Sequence, residues 1–337
     1  MRQNHYGYLC LIIMGLLAAL TFLLNVSLGS VRIPLAEGLS ALWEPRDSGA
    51  FAAIIRDIRL PRALAAASGG AALAVTGLLL QVLFQNPIVD SFILGVSSGA
   101  SLLVGVVLLA GTAFGIQAAP PQLLVGAAFL GAMAVMLLVL GLARRVKSVV
   151  TLLVAGLMVG YLCSGITSGL VVLAQREQLR NFILWGLGSF SGYTMGEALF
   201  LTGLVLPLAG AACFLAKPLN ALLLGEKYAR SGGAPMNALR CSIILITSLL
   251  GGAVTAFSGP IAFIGLAVPH LARIIWRTSD NRMLIPACFL LGGAVAGSCD
   301  LLARLLFAPV ELPISAVTSF FGAPLVIGLL LKRSRVA

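Results

Sequence analysis

Residues 59–101 read RLPRALAAASGGAALAVTGLLLQVLFQNPIVDSFILGVSSGAS, and this stretch decides the fold class. Two arginines lie within its first four residues, and a mostly apolar run then continues from Ala63 to Phe84. A helix needs about 20 apolar residues to cross the hydrocarbon core of a bilayer, so this run predicts one membrane span. Similar apolar runs, separated by short polar islands, recur along the whole chain.

The composition of the 337-residue chain also indicates a membrane protein. Hydrophobic residues make up 60% of it and charged residues only 10%, and its mean hydropathy is +1.06. Soluble domains usually contain about 25% charged residues. In lipid, only helices and closed barrels satisfy their backbone hydrogen bonds, and the alternating pattern of a barrel is missing. We therefore predict an all-α polytopic membrane protein.

The apolar runs predict about ten transmembrane helices. The eighth run is short and contains Pro269, so we expect it to be broken or to cross only part of the bilayer. The predicted spans lie near residues 9–29, 62–82, 92–110, 121–143, 150–173, 195–216, 237–256, 261–276, 283–307 and 314–331.

The distribution of basic residues predicts the orientation of the chain. With ten spans, both termini lie on one side, and a cytoplasmic assignment places most of the 22 Lys and Arg residues inside. This rule accounts for the net charge of +11. The charge does not indicate nucleic-acid binding, because the basic residues are scattered and form no tract. The polar segment ALLLGEKYARSGGAP, residues 221–235, then faces the cytoplasm.

Few residues suggest chemistry within the spans. The ionisable candidates Asp90, Glu197, His270, Asp300 and Glu311 all fall near predicted span ends, and they do not form the chain of buried carboxylates expected of an ion-coupled transporter. The six cysteines lack metal-ligand spacing, and neither a P-loop nor a nucleophile elbow is present. We predict no catalytic residue, no metal site and no cofactor in this chain.

Two further patterns each leave two interpretations open. Arg56, Arg59 and Arg62 lie together where the second span begins, and they indicate either snorkelling side chains or a positive external patch for an acidic partner. Gly156, Gly160, Ser164 and Ser168 form a four-residue stripe of small side chains on the fifth span. Such a stripe favours close helix packing, within one bundle or along a subunit interface or pathway.

Four segments, in order along the chain, closely resemble FecCD-type (BtuC-like) permease subunits of bacterial ABC importers for vitamin B12, ferric siderophores or haem. They are the opening stretch, the loop segment ALLLGEKYARSGG, GPIAFIGLAVPHLAR at 259–273 and ELPISAVTSFFGAPLVIGLLLK at 311–332. The resemblance covers nearly the whole chain. It implies a BtuC-like type II ABC importer permease fold, with residues 1–337 as a single transmembrane permease domain.

The same resemblance implies the partners and the location. We expect a homodimer that forms the translocation path, two cytoplasmic ABC ATPase subunits that hold ATP and Mg²⁺, and a periplasmic or lipid-anchored substrate-binding protein. The chain itself would then be no enzyme. It would be a multi-pass protein of the bacterial inner membrane, in contact with lipid and not with nucleic acid.

The resemblance also implies roles for particular residues. The loop at 219–234 corresponds to the coupling helices of the family, so we expect an ATPase contact at Leu224, Gly225, Glu226, Lys227, Tyr228, Ala229, Arg230, Ser231 and Gly232. Arginines at the start of the second span and the end of the ninth receive glutamates of the binding protein in relatives. The matching positions are Arg59, Arg62 and Arg304, with Arg56 as a possible fourth.

The spacing of charges adds two expectations that do not depend on the resemblance. Glu226 and Arg230, like Asp300 and Arg304, are four residues apart, in the order that favours a helical ion pair. The substrate class stays open between a ferric siderophore, haem, cobalamin and an oxyanion such as molybdate. An ion-coupled secondary transporter and an intramembrane enzyme that uses His270 are the rival functions.

Overall fold

A computed structural model describes residues 2–29, 50–90, 94–111, 119–146 and 148–334, and most of these residues are helical. The α-helices are α1 Arg2–Ser27, α2 Ala50–Ala53, α3 Leu60–Leu83, α4 Val96–Leu109, α5 Pro121–Arg145, α6 Val149–Leu173, α7 Arg176–Gly186, α8 Met195–Phe214, α9 Ala216–Leu223, α10 Glu226–Ser231, α11 Met236–Ser258, α12 Ile264–Trp276, α13 Asn281–Leu305 and α14 Ile314–Ser334. A π-helical segment, Ile54–Arg59, joins α2 to α3 without a break.

Each of the ten predicted spans coincides with one of these helices. Among the described residues, seven helices are long and apolar enough to cross a membrane by length and composition. The other three spans correspond to shorter apolar helices, namely α4, α12 and the first part of α14. The all-α prediction is therefore confirmed, although residues 92 and 93 of the third predicted span lie outside the described residues.

The sequence analysis did not predict the helix α7, which follows α6 after a short break. This helix, REQLRNFILWG, is too polar for a hydropathy pattern to reveal, and it starts with a capping box in which the Gln175 N–H donates to the Gln178 side chain at 2.9 Å. The helical extension over residues 50–59 was likewise not predicted as a helix. In α7, local capping and not a long apolar run determines where the helix begins.

The contacts within the chain group it into two compact units. Unit 1 comprises Met1–Val75, Ser189–Gly210 and Ala262–Ala337, and in it α13 packs against α1, α12 and α14. Unit 2 comprises Thr76–Gly188 and Ala211–Ile261, and in it α4 and α11 both pack against α5, while α4 also contacts α6. The assignment of residues 1–337 to a single permease domain stays a prediction.

Small residues allow the closest helix contacts in each unit. In unit 1, a Cβ atom added at Gly292 would lie 2.5 Å from the backbone oxygen of Gly70. In unit 2, a Cβ atom added at Gly99 would lie 2.5 Å from the backbone oxygen of Gly131. Neither space holds a methyl group, so these glycines are required where two backbones touch.

We expect Gly131→Ala to destabilise unit 2, because its new methyl group would meet the backbone oxygen of Gly99. Overpacking of this kind costs about 1–3 kcal/mol. Gly141→Ala is the matched control on the same helix, since a Cβ atom there meets no atom within 4 Å. Thermal unfolding of the detergent-purified variants measures the difference. A G131A protein as stable as G141A would contradict the close contact.

Candidate docking cluster and coupling loop

Three of the four arginines that we expect at the docking site are buried together in unit 1. We call Arg59, Arg62 and Arg304, with Asp300, Glu311 and Asn25, the arginine cluster. The relative exposures of Arg59, Arg62 and Arg304 are 4%, 6% and 5%. Arg56, in the π-helical segment, is half-buried. Arg59 and Arg62, two of the three members of the positive external patch that was one interpretation of the sequence, are therefore buried in this chain. The part of the arginines in docking stays a prediction.

Asp300 lies at the centre of the arginine cluster. Its carboxylate accepts hydrogen bonds from Nε and Nη2 of Arg62 at 3.0 Å, and it forms an ion pair with Arg304 Nε at 3.3 Å. The predicted pair of Asp300 and Arg304 is thus confirmed. Because its side chain is 1% exposed, Asp300 supplies the buried negative charge that both arginines need in an apolar surrounding.

Arg59 and Arg304 also donate to backbone and amide oxygens near the end of α1. Arg59 Nη1 donates to the Ser27 oxygen at 2.6 Å and to the Val26 oxygen at 3.3 Å. Arg304 Nη2 donates to both oxygens of Asn25. The Asn25 amide nitrogen donates to the Gly297 oxygen at 2.9 Å, so its side-chain oxygen is held toward Arg304.

Sequence reasoning missed Asp300, Glu311 and Asn25 as members of one site with Arg62. The available signal was that Arg62, Asp300 and Glu311 are ionisable residues beside apolar spans, where such groups pair with one another. Their separations of 238 and 249 residues hid the pairing.

The predicted coupling loop in unit 2 forms two short helices, α9 and α10, separated by a glycine turn. Gly225 has φ = +108°, a backbone conformation that residues with a side chain rarely adopt. The helix α10 ends in a Schellman motif: Gly233, at φ = +80°, donates to the Arg230 oxygen, and Ala234 donates to the Ala229 oxygen, both at 3.0 Å. The chain therefore leaves α10 through Gly232 and Gly233, as two consecutive glycines in the sequence favour.

The nine expected contact residues separate into exposed and inward-facing groups. Leu224 and Tyr228 are 67% and 58% exposed, and Lys227, Arg230, Ser231 and Gly232 are exposed as well. Ala229 is buried, whereas Gly225 and Glu226 are half-buried. The exposed group presents an apolar surface bordered by cations, and its contact with an ATPase stays a prediction.

Glu226 bonds to two arginines, of which the sequence predicted one. Its carboxylate accepts from Arg230 Nη2 at 2.7 Å, which confirms the i,i+4 pair. Both its oxygens also accept from Arg240 Nη2 on α11 at 2.8 Å. Arg240 is 1% exposed, and its Nη1 donates to the Val146 oxygen at the end of α5 at 3.4 Å. Glu226 therefore connects α10 to two long helices of unit 2.

The electrostatics keep Glu226 ionised. Partial burial opposes the charged form, but hydrogen bonds and charge from Arg230 and Arg240 outweigh it and lower the pKa of this carboxyl below its usual value. The ion pairs are consequently complete at neutral pH and are lost only as the pH falls through that lowered pKa.

A second anchor of the coupling loop is the Gln85 side chain, which donates to the Leu222 oxygen at the end of α9 at 2.8 Å.

The small-residue stripe on α6 does not remain on one face. Gly156 and Gly160 are buried, where a Cβ atom at Gly95 would lie 3.0 Å from their backbone atoms. Ser164 and Ser168 are exposed, and the buried line continues instead through Cys163 and Thr167. A strict four-residue spacing turns about 40° per step around a helix with 3.6 residues per turn, so the stripe leaves the packed face.

Residues 16–332 match the FecCD transport family. The chain belongs to this family. It is 37% identical, over 94% of its length and 92% of the relative's, to the vitamin B12 import system permease protein BtuC of Klebsiella pneumoniae. It is also 37% identical to the protein of that name in Salmonella typhi, with 99% and 98% coverage.

A solved structure supports the same assignment. The chain is similar to an inward-facing conformation of a metal-chelate type ABC transporter, with a TM-score of 0.83, 29% sequence identity, and coverage of 96% of this chain and 98% of that one. The expected resemblance and fold class are thus confirmed. This FecCD family member is a multi-pass membrane permease subunit of an ABC importer and serves as a transport component.

Proposed function

We propose that this FecCD family member forms a homodimeric pathway in the bacterial inner membrane for a metal-chelate nutrient, with both termini in the cytoplasm. Two ABC ATPase subunits, which bind ATP and Mg²⁺, engage the coupling loop, and a periplasmic or lipid-anchored binding protein docks at the arginine cluster. Alternating access moves the substrate, and the permease itself hydrolyses no nucleotide.

The observation that carries this proposal is the construction of the coupling loop. The exposed Leu224 and Tyr228 offer an apolar contact, while the Glu226–Arg240 pair joins the same short helix to a buried residue of α11. A rigid element of this kind suits the transfer of motion from an outside motor. The exposed Ser164 and Ser168 leave one face of α6 available for the second copy or the path.

Cobalamin is the proposed substrate, because the names of relatives 37% identical to this chain specify vitamin B12 import. The metal-chelate type of the similar solved transporter agrees with this class of molecule. Ferric siderophores and haem belong to the same class of bulky chelates. Molybdate is a small oxyanion, and it differs most from the substrates that these names specify.

Reconstituted uptake tests the proposed function. The permease is placed in proteoliposomes with its ATPase subunits, and radiolabelled cobalamin is supplied with the binding protein. We expect uptake that requires both ATP and the binding protein and that an excess of unlabelled cobalamin suppresses. Ferric siderophore, haem and molybdate serve as competitors to identify the substrate class. Uptake by the permease alone along a proton or sodium gradient would establish the secondary transporter instead.

A further inference from the structure

The two carboxylates that bind Arg62 differ in how far they reach solvent. Asp300, whose side chain is 1% exposed, occupies the Nε and Nη2 edge of the guanidinium. Glu311, whose side chain is 44% exposed, accepts from Nη1 through both oxygens, at 3.0 and 2.9 Å. A carboxylate that arrives from solvent can therefore reach Arg62 only on the edge that Glu311 now covers.

Within the arginine cluster, the charge nearest to solvent is negative. The side chains of Arg62 and Arg304 are 7% and 6% exposed, and Arg59 is 4% exposed as a whole residue. An acidic partner would meet the Glu311 carboxylate before it met any of these guanidinium groups. Charge complementarity with an acidic protein therefore requires that Glu311 first leave Arg62.

The local structure lets the Glu311 side chain leave Arg62 at a small cost in free energy. Glu311 lies between α13 and α14, outside both helices. The neighbouring Leu312 N–H donates to the Ala303 oxygen at 2.9 Å, so the backbone is held to α13 while the Glu311 side chain extends from it. An ion pair whose carboxylate is this exposed contributes little, because water competes for both groups. The buried Asp300 pair has no such competitor and stays in place.

We propose that Glu311 is a placeholder ligand of Arg62, and that the binding protein docks by exchanging one of its own carboxylates for that of Glu311. The inference rests on the proposed function and adds a mechanism to it. The exchange replaces one carboxylate on Arg62 by another while Asp300 stays bound, so the buried arginine always has a counter-ion. Before docking, Glu311 weakens the attraction of the cluster for every other acidic protein, which favours a partner that also fits the surrounding surface.

The test measures how tightly the binding protein encoded with this permease binds to the permease variant Glu311→Gln. Wild-type and variant permease, each assembled with the ATPase subunits in nanodiscs, are titrated with purified binding protein at physiological ionic strength. Glutamine removes the competing charge and keeps the size of the side chain. We expect the E311Q complex to bind roughly fivefold more tightly.

Asp57→Asn is the matched control, since Asp57 is an exposed carboxylate in the π-helical segment and the substitution changes the net charge equally. A general charge effect would strengthen docking of D57N as much as that of E311Q and would disappear at high salt. Unchanged or weaker docking of E311Q, or an equal gain in D57N, overturns the exchange while docking itself remains. If wild-type permease fails to bind the binding protein at all, the proposed function fails, and the exchange fails with it.

Discussion

Replacing Asp300 with alanine should destabilise the protein by about 3–5 kcal/mol, because two buried arginines would lose their shared counter-ion. The Asp300 carboxylate bonds Arg62 at 3.0 Å and pairs with Arg304 at 3.3 Å, and its side chain is 1% exposed. Without it, Arg304 would keep its bonds to Asn25, and Arg62 would keep the exposed Glu311. Neither remaining partner provides a buried negative charge.

Thermal unfolding in detergent, with Asp300→Asn and Glu311→Gln as controls, measures this effect. D300N keeps the acceptor oxygen and loses the charge, so its stability should lie between those of D300A and wild type. E311Q removes a half-exposed partner of the same arginine and should cost about 1 kcal/mol or less. A D300A protein that unfolds at the wild-type temperature would show that the cluster does not stabilise unit 1.

Replacing Glu226 with glutamine should separate ATP hydrolysis from uptake while the ATPase subunits still bind. The substitution weakens the charged hydrogen bonds to Arg240, which connect α10 to α11 and, through Val146, to the end of α5. Charged hydrogen bonds contribute about 1.5–3 kcal/mol, so the substrate transported per ATP hydrolysed should fall about tenfold or more. Proteoliposome uptake and phosphate release, measured on one preparation, give this ratio.

Arg230→Ala is the comparison that distinguishes anchoring from contact. The Arg230 side chain is 53% exposed and binds only Oε1 of the Glu226 carboxylate, whereas Arg240 binds both oxygens, so the loss of Arg230 leaves the Arg240 bonds in place. We expect R230A to weaken ATPase association and to leave the transport ratio of the assembled complex near wild type. If E226Q loses ATPase binding while R230A keeps it, Glu226 is a contact residue and the anchoring role is wrong.

The two partners of Glu226, Arg230 and Arg240, show how much of this site the local sequence predicts. Glu226 and Arg230 are four apart, so helical geometry alone predicts their pair. Arg240 lies 14 residues from Glu226, beyond a Schellman motif and a proline, and no local rule connects them. A basic residue near a predicted cytoplasmic end satisfies the topology rule, which carries no information on whether its side chain is buried.

The sequence by itself determined the membrane class, the ten apolar helices, the short charged helix with its glycine exit, and the family. These features depend on hydrophobicity along a helix and on local backbone freedom, both of which neighbouring residues decide. Only the tertiary structure decided that Arg59, Arg62 and Arg304 are buried around Asp300, and that Glu226 faces Arg240. The reason is physical: a charge removed from water must find a counter-charge, and here the two are on helices far apart in the chain.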